Sequence, residues 1–176
     1  MKVQDAMTRN VATCNQGDAL NRAAQLMWEC DCGGIPVLDD KGTVSGIITD
    51  RDVCMASYTR GLPLHDIRVR DAMSTVVHAC GPEDSIESAL ALMKQNKIRR
   101  LPVTDGGRAV GMLSLSDVLT VLRSSHSDRK SRVPPVDVIV EALVVISEPR
   151  DSARRAGGNR DLRGASPIPA AESRRN

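Results

Sequence analysis

Apolar positions along this chain switch between two spacings. Ala19, Leu20, Ala23, Leu26 and Met27 share one helical face after Asp18, and Ile86, Ala89, Leu90, Leu92 and Met93 share one after Asp84, so two amphipathic helices are predicted, with the aspartates as N-caps. These helices end before Gly33-Gly34 and around Asn96. Short apolar runs follow at 35–38 and 101–104, then the turn residues Asp39-Asp40-Lys41-Gly42 and Asp105-Gly106-Gly107, then apolar runs at 44–48 and 109–113. That order predicts a hairpin after each helix. Second helices start at or beside Asp50 and Ser116 and reach about Tyr58 and Leu122. Each unit therefore reads strand, helix, strand, strand, helix, an α/β (α+β) arrangement.

The two units are one unit written twice. Residues 3–39 match residues 69–105 at 13 of 37 positions, and Gly46 answers Gly111 one residue out of step, a slip that a deletion in the hairpin turn explains. The expected division is a first domain at 1–60, a linker at 61–68, a second domain at 69–123, and a polar, basic and partly disordered tail at 124–176. Within the tail, residues 136–146 are strongly apolar, which suits either a short helix packed on the core or an edge strand.

Composition narrows the rest. Trp28 and Tyr58 are the only aromatic residues, so the core must be aliphatic. Residues 1–122 carry 13 Lys and Arg against 15 Asp and Glu, whereas residues 123–176 carry 11 against 7, so the basic character belongs to the tail. With few aromatics and a slightly acidic folded part, nucleic acid is not the expected partner. The N-terminus lacks the apolar stretch of a signal peptide, and no apolar run reaches the roughly 18 residues of a membrane helix, which predicts a cytoplasmic protein without membrane contact. Five cysteines without a framework pattern suit reduced thiols. Cys30-Asp31-Cys32 is a metal-like fragment, but no second pair completes four ligands, and His65, His78 and His126 are scattered, so no metal is expected. Metal or redox sensing stands as a third reading.

The segments GIITDRD at 46–52 and GMLSLSD at 111–117, the paired DAM starts, and the IPV and LPV strands together resemble a tandem pair of CBS domains, named after cystathionine beta-synthase and often called a Bateman module. The resemblance covers about residues 1–123, and the TDRD string is similar to stand-alone bacterial stress and hypoxia-response members. It implies two β-α-β-β-α units packed through their sheets about a pseudo-twofold axis, clefts that receive adenosine-containing ligands, and a flat homodimer. AMP, ADP or ATP are the candidate ligands, ahead of S-adenosylmethionine.

The chemistry of the doubled segment suits such ligands. Thr49 and Ser114 stand where a strand enters a helix, so their hydroxyls and the unpaired helix N–H groups can meet a phosphate, while Asp52 and Asp117 lie near one turn further on and can accept from ribose hydroxyls. The same four residues can instead be helix caps. Resemblance adds Thr13, Ile35 and Pro36 to the first site and Leu101 and Pro102 to the second. Arg51, Arg99 and Arg100 can place positive charge around a phosphate, or serve as solvated surface residues. Ala79 stands where the first unit has Thr13, so the first site is favoured and the second is expected to bind weakly or to serve as a structural companion. Neither a nucleophile elbow nor a phosphate-binding Gly-rich loop occurs, and no enzyme activity is expected. The leading reading is a regulatory nucleotide-binding protein, a homodimer that signals occupancy at a dimer or partner surface. Its rival is a constitutive scaffold that uses the basic tail as a protein contact.

Overall fold

The computed structural model describes residues 1–125 and 134–148. Its first unit comprises β1 (Cys14–Asn15), α1 (Leu20–Glu29), β2 (Gly34–Leu38), β3 (Val44–Thr49) and α2 (Asp50–Arg60). A second comprises α3 (Ile86–Asn96), β4 (Arg100–Asp105), β5 (Arg108–Ser114) and α4 (Leu115–Ser125), and α5 (Val136–Ser147) follows. β1 runs parallel to β2, and β2 and β3 form the antiparallel hairpin; β4 and β5 repeat that hairpin, with a bulge at the same place in each. The fold is thus mixed α/β with tandem β-α-β-β-α units.

The first strand of the second unit shrinks to a single parallel bridge between Cys80 and Val103. The reason is one residue. Gln16 donates its backbone N–H to Leu38 in the first unit, and its counterpart Pro82 has no N–H to donate. The expected N-caps also need correction. Ala19 and Ser85 are the capping positions; Asp18 and Asp84 instead accept from the backbone N–H groups of Asn15 at 2.8 Å and Gly81 at 2.7 Å. Each aspartate braces the turn before its helix, a local bond available to a short carboxylate just as readily as a cap.

The beginning of each repeat packs against the other unit. Val3 and Gln4 donate to the carbonyls of Asp84 and Pro82, while Val69 and Arg70 donate to those of Asp18 and Gln16. Thr8 exchanges both backbone bonds with Met112, and Ser74 does the same with Ile47. Val3 is fully buried in the second unit's aliphatic core; Ile67, Val69, Ala72 and Met73 are buried in the first unit's. Gly46 and Gly111 make this exchange sterically possible. A Cβ on Gly46 would sit 2.9 Å from the Ser74 carbonyl oxygen and 2.7 Å from the Met73 sulfur; one on Gly111 would sit 2.9 Å from the Thr8 oxygen and 2.6 Å from the Met7 sulfur. Gly46→Ala and Gly111→Ala are each expected to cost roughly 1–3 kcal/mol, because the backbone oxygen cannot yield as the thioether can. Urea unfolding midpoints check this, and unchanged midpoints would mean that the crossing segments are loosely held.

The apolar segment at 136–146 is helical. Through Ile139, Ala142 and Ile146, α5 buries one face in the second unit's core beside α3. Lys94–Glu141 at 3.0 Å and Lys97–Glu148 at 3.1 Å pin its flank. The expectation of a disordered tail falls mostly on residues 126–133 and 149–176, which lie outside the described residues.

Candidate functional site

In-register pairing determines which candidate residues share a face. Ile48 pairs with Ile35 and Cys14 with Val37, and all four side chains are buried in the core. Because side chains alternate along a strand, Thr13, Gly34, Pro36, Ile47 and Thr49 turn to the opposite face of that sheet. In the second sheet Leu101 and Leu113 point into the core, while Arg100, Pro102, Met112 and Ser114 occupy the opposite face. Ile35 and Leu101 therefore stand on the core side of their strands, away from Thr49 and Ser114.

The noncore faces approach each other. Near one end, the Arg100 side chain crosses from the second unit onto the first: Thr49 Cγ2 lies 3.3 Å and Arg100 Cδ 3.7 Å from the position of a Gly34 Cβ. The Arg100 guanidinium and the Asp50 carboxylate both converge on Gly33, at 2.7 and 2.9 Å from its Cβ position. At another contact the hairpin turns touch, with Val44 donating to the Gly107 carbonyl at 3.0 Å. Arg100 is half-buried there, whereas Arg51 and Arg99 are exposed.

Thr49 caps α2, and Asp52 returns the bond. The Thr49 hydroxyl accepts from the Asp52 N–H at 3.3 Å; one Asp52 oxygen accepts from the Thr49 N–H at 3.0 Å and from its hydroxyl at 2.7 Å. Ser114 and Asp117 repeat the arrangement at 3.1, 2.7 and 2.6 Å. Both pairs are reciprocal capping boxes, so the structural role foreseen for them is present in each unit. The second oxygens differ. Asp117 Oδ1 accepts from the Thr8 hydroxyl at 3.4 Å, whereas Ser74, the counterpart of Thr8, donates to the Val76 carbonyl instead. Among the described residues Asp52 Oδ1 has no hydrogen-bond partner, leaving the first unit with an open acceptor. The involvement of Thr8 was missed because the repeat alone assigns it to the first unit.

A cavity of about 270 Å³ lies outside these pairs, between α1 and α2, where Met27, Trp28, Cys32, Asp50 and Val53 line it. Among the described residues no three His, Cys, Asp or Glu side chains come together as a metal site. The cysteines divide by burial. Desolvation pushes the Cys14 thiol up to about 12, with Asp18 adding to the shift, and pushes Cys80 up to about 11, with Asp84 adding. Native protein near pH 8 is expected to alkylate at exposed Cys30 but not at Cys14 or Cys80, as mass spectrometry of labelled peptides would read. Both buried thiols stay protonated in the fold at pH values where an unfolded thiol ionises. Stability is therefore expected to fall as pH rises above about 9, continuing toward 11 and 12.

Comparison with known proteins gives the following likenesses. The family model described as CBS domain matches residues 3–58 and again 69–124. CBS domain-containing protein YhcV of Bacillus subtilis is 36% identical over 125 residues, covering 71% of this chain and 88% of the relative. A crystal structure of Hypoxic Response Protein I with two coordinated zinc ions is 27% identical, with a TM-score of 0.63, covering 68% of this chain and 98% of the other. The CBS domain pair of protein MJ0100, in complex with 5'-methylthioadenosine and S-adenosyl-L-methionine, shares the fold at 20% identity and a TM-score of 0.65, covering 71% of this chain and 98% of the other. The zinc ions correct the expectation that no metal would be found: this fold carries metal in a structural relative, so a lone Cys30-Asp31-Cys32 fragment is no ground for excluding it.

Proposed function

Because the chain belongs to the CBS-domain family, whose members are typically non-catalytic regulatory modules, we propose that it senses an adenosine-containing ligand in the first unit and signals occupancy through a homodimer or partner surface. The observation that carries the reading is the open Asp52 Oδ1 beside Thr49, with Arg100 arriving from the second unit over Gly34. Asp52 would accept from the ribose. The α2 N-terminus would donate to phosphate, joined by Thr49 once its hydroxyl hydrogen turns from Asp52 to the ligand, and Arg100 would add its charge. Thr13 and Pro36, turned to the same face of the sheet, would line the floor. Because Arg100 belongs to one unit and Thr49 to the other, a ligand touching both would favour one relative arrangement of the units, which is what a regulatory ligand must do.

The structure of MJ0100 with 5'-methylthioadenosine and S-adenosyl-L-methionine is in keeping with an adenosyl ligand. Likeness to a hypoxic response protein supports a role in stress adaptation. The second site, with Ala79 in place of a hydroxyl and Asp117 engaged by Thr8, would bind more weakly. No described helix is long and apolar enough to cross a membrane. Calorimetric titration with AMP, ADP, ATP and S-adenosylmethionine tests the reading; no heat from any of them at millimolar concentration would end it. Zinc analysis of the purified chain tests whether the relative's metal is shared.

The capping boxes favour a second reading. Thr49 with Asp52 and Ser114 with Asp117 satisfy one another without ligand, as a constitutive scaffold requires. A scaffold would keep one oligomeric state and one partner affinity across all of these ligands.

A further inference from the structure

The N-terminus of α2 already carries an anion of its own. One Asp50 oxygen accepts from the Arg51 N–H at 2.7 Å, a donor that a phosphate at this helix end would otherwise take. The other Asp50 oxygen stands 2.9 Å from the position of a Gly33 Cβ, and an Arg100 guanidinium nitrogen stands 2.7 Å from the same point. Among the described residues that guanidinium makes no hydrogen bond or ion pair, so it and the Asp50 carboxylate are neighbours that stop short of pairing. The second unit is built otherwise. Leu115 holds the matching position and is buried, and among the described residues no side-chain oxygen meets the Ser116 N–H. Capping does not call for Asp50 either, because Thr49 with Asp52 and Ser114 with Asp117 cap the two helices alike.

We propose that Asp50 selects the ligand of the first site by the charge on its 5′ substituent, disfavouring phosphates and favouring an adenosyl sulfonium. The inference rests on the adenosine site proposed above and narrows its ligand class. With the ribose on Asp52, the 5′ substituent lies against the first turn of α2. A phosphate there contends with the Asp50 carboxylate for the same donors, and binds only as that carboxylate turns aside. A sulfonium instead meets the carboxylate as it stands, and the amino-acid carboxylate of S-adenosylmethionine is left to meet Arg100. Asp50 is exposed, so solvent and salt screen both effects and the outcome is a preference between ligands rather than an absolute block.

Titration calorimetry of the full-length chain tests this with S-adenosylmethionine, its neutral thioether S-adenosylhomocysteine, and AMP, on the parent and on Asp50→Asn. Asparagine keeps an oxygen for the Arg51 N–H, so the variant should retain the circular dichroism of the parent. In the parent, S-adenosylmethionine should bind about tenfold more tightly than S-adenosylhomocysteine, and more tightly than AMP. Asp50→Asn should weaken S-adenosylmethionine by about fivefold, tighten AMP by about fivefold and leave S-adenosylhomocysteine unchanged, with both shifts shrinking between about 50 and 500 mM salt. A parent that prefers AMP or the neutral thioether overturns the selection by Asp50, whatever the variant does. Shifts of the same sign for AMP and S-adenosylmethionine, or shifts indifferent to salt, overturn it as well and leave the site standing. If neither protein binds any of the three at millimolar concentration, the adenosine site falls together with it.

Discussion

Val3→Asp is expected to unfold the second unit, although Val3 opens the first repeat. The side chain is fully buried among Ile86, Leu90, Leu101 and other aliphatic residues of the second unit's core, and its backbone N–H is committed to Asp84. Losing a buried valine forfeits on the order of 2 kcal/mol, and a carboxylate in its place has no buried cation to meet. The combined loss is expected to reach about 4 kcal/mol or more, a large share of the roughly 5–15 kcal/mol of a typical domain. Hydrogen exchange supplies the decisive readout: the amides of Met112 and Leu113 should lose protection before those of Ile47 and Ile48. Val69→Asp should reverse the order, because Val69 is buried in the first unit's core. If each substitution loosened the unit that contains it in sequence, the reciprocal exchange would be refuted.

The second large effect is expected at Asp52. Asp52→Ala should weaken an adenosine ligand by about 10- to 100-fold, the equivalent of a charged hydrogen bond worth about 1.5–3 kcal/mol. It should also lower stability by about 1 kcal/mol, because Thr49 loses its return bond in the capping box. Asp117→Ala removes the matching box and provides the control. It should show a similar stability loss with affinity unchanged within about threefold, since the first site carries the ligand and Asp117 Oδ1 already meets Thr8. Titration calorimetry with thermal melting on both variants separates the two effects. Equal affinity losses would indicate two equivalent sites; loss of stability alone in both variants would reduce Asp52 to a helix cap.

These expectations draw unevenly on the sequence. The helices and hairpins could be read because their period, turn residues and doubled pattern all agree. Thr49 with Asp52 and Ser114 with Asp117 could be paired because three residues span nearly one helical turn. N-cap identity was harder to read, since Asp18 and Asp84 have a turn to brace within two or three residues and the backbone offers both bonds at similar cost. Ile35 and Leu101 neighbour Pro36 and Pro102 in their strands but face the core, a distinction that depends on strand parity against a register that the repeat does not specify.

What the sequence determined by itself is the unit: two copies of one β-α-β-β-α pattern, an aliphatic core, a hydroxyl and a carboxylate at each strand-to-helix junction, and the family they mark. These are local matters of periodicity and spacing. Only the tertiary structure decided which unit each repeat start completes, that Arg100 reaches over Gly34, that Thr8 meets Asp117, and that α5 covers one outer face and leaves the other to Trp28 and Tyr58. Two units of the same fold offer each DAM start two similar docking grooves. The choice between them rests on chain reach, on the room left by Gly46 and Gly111, and on burial summed across both cores, none of which belongs to any one stretch of the chain.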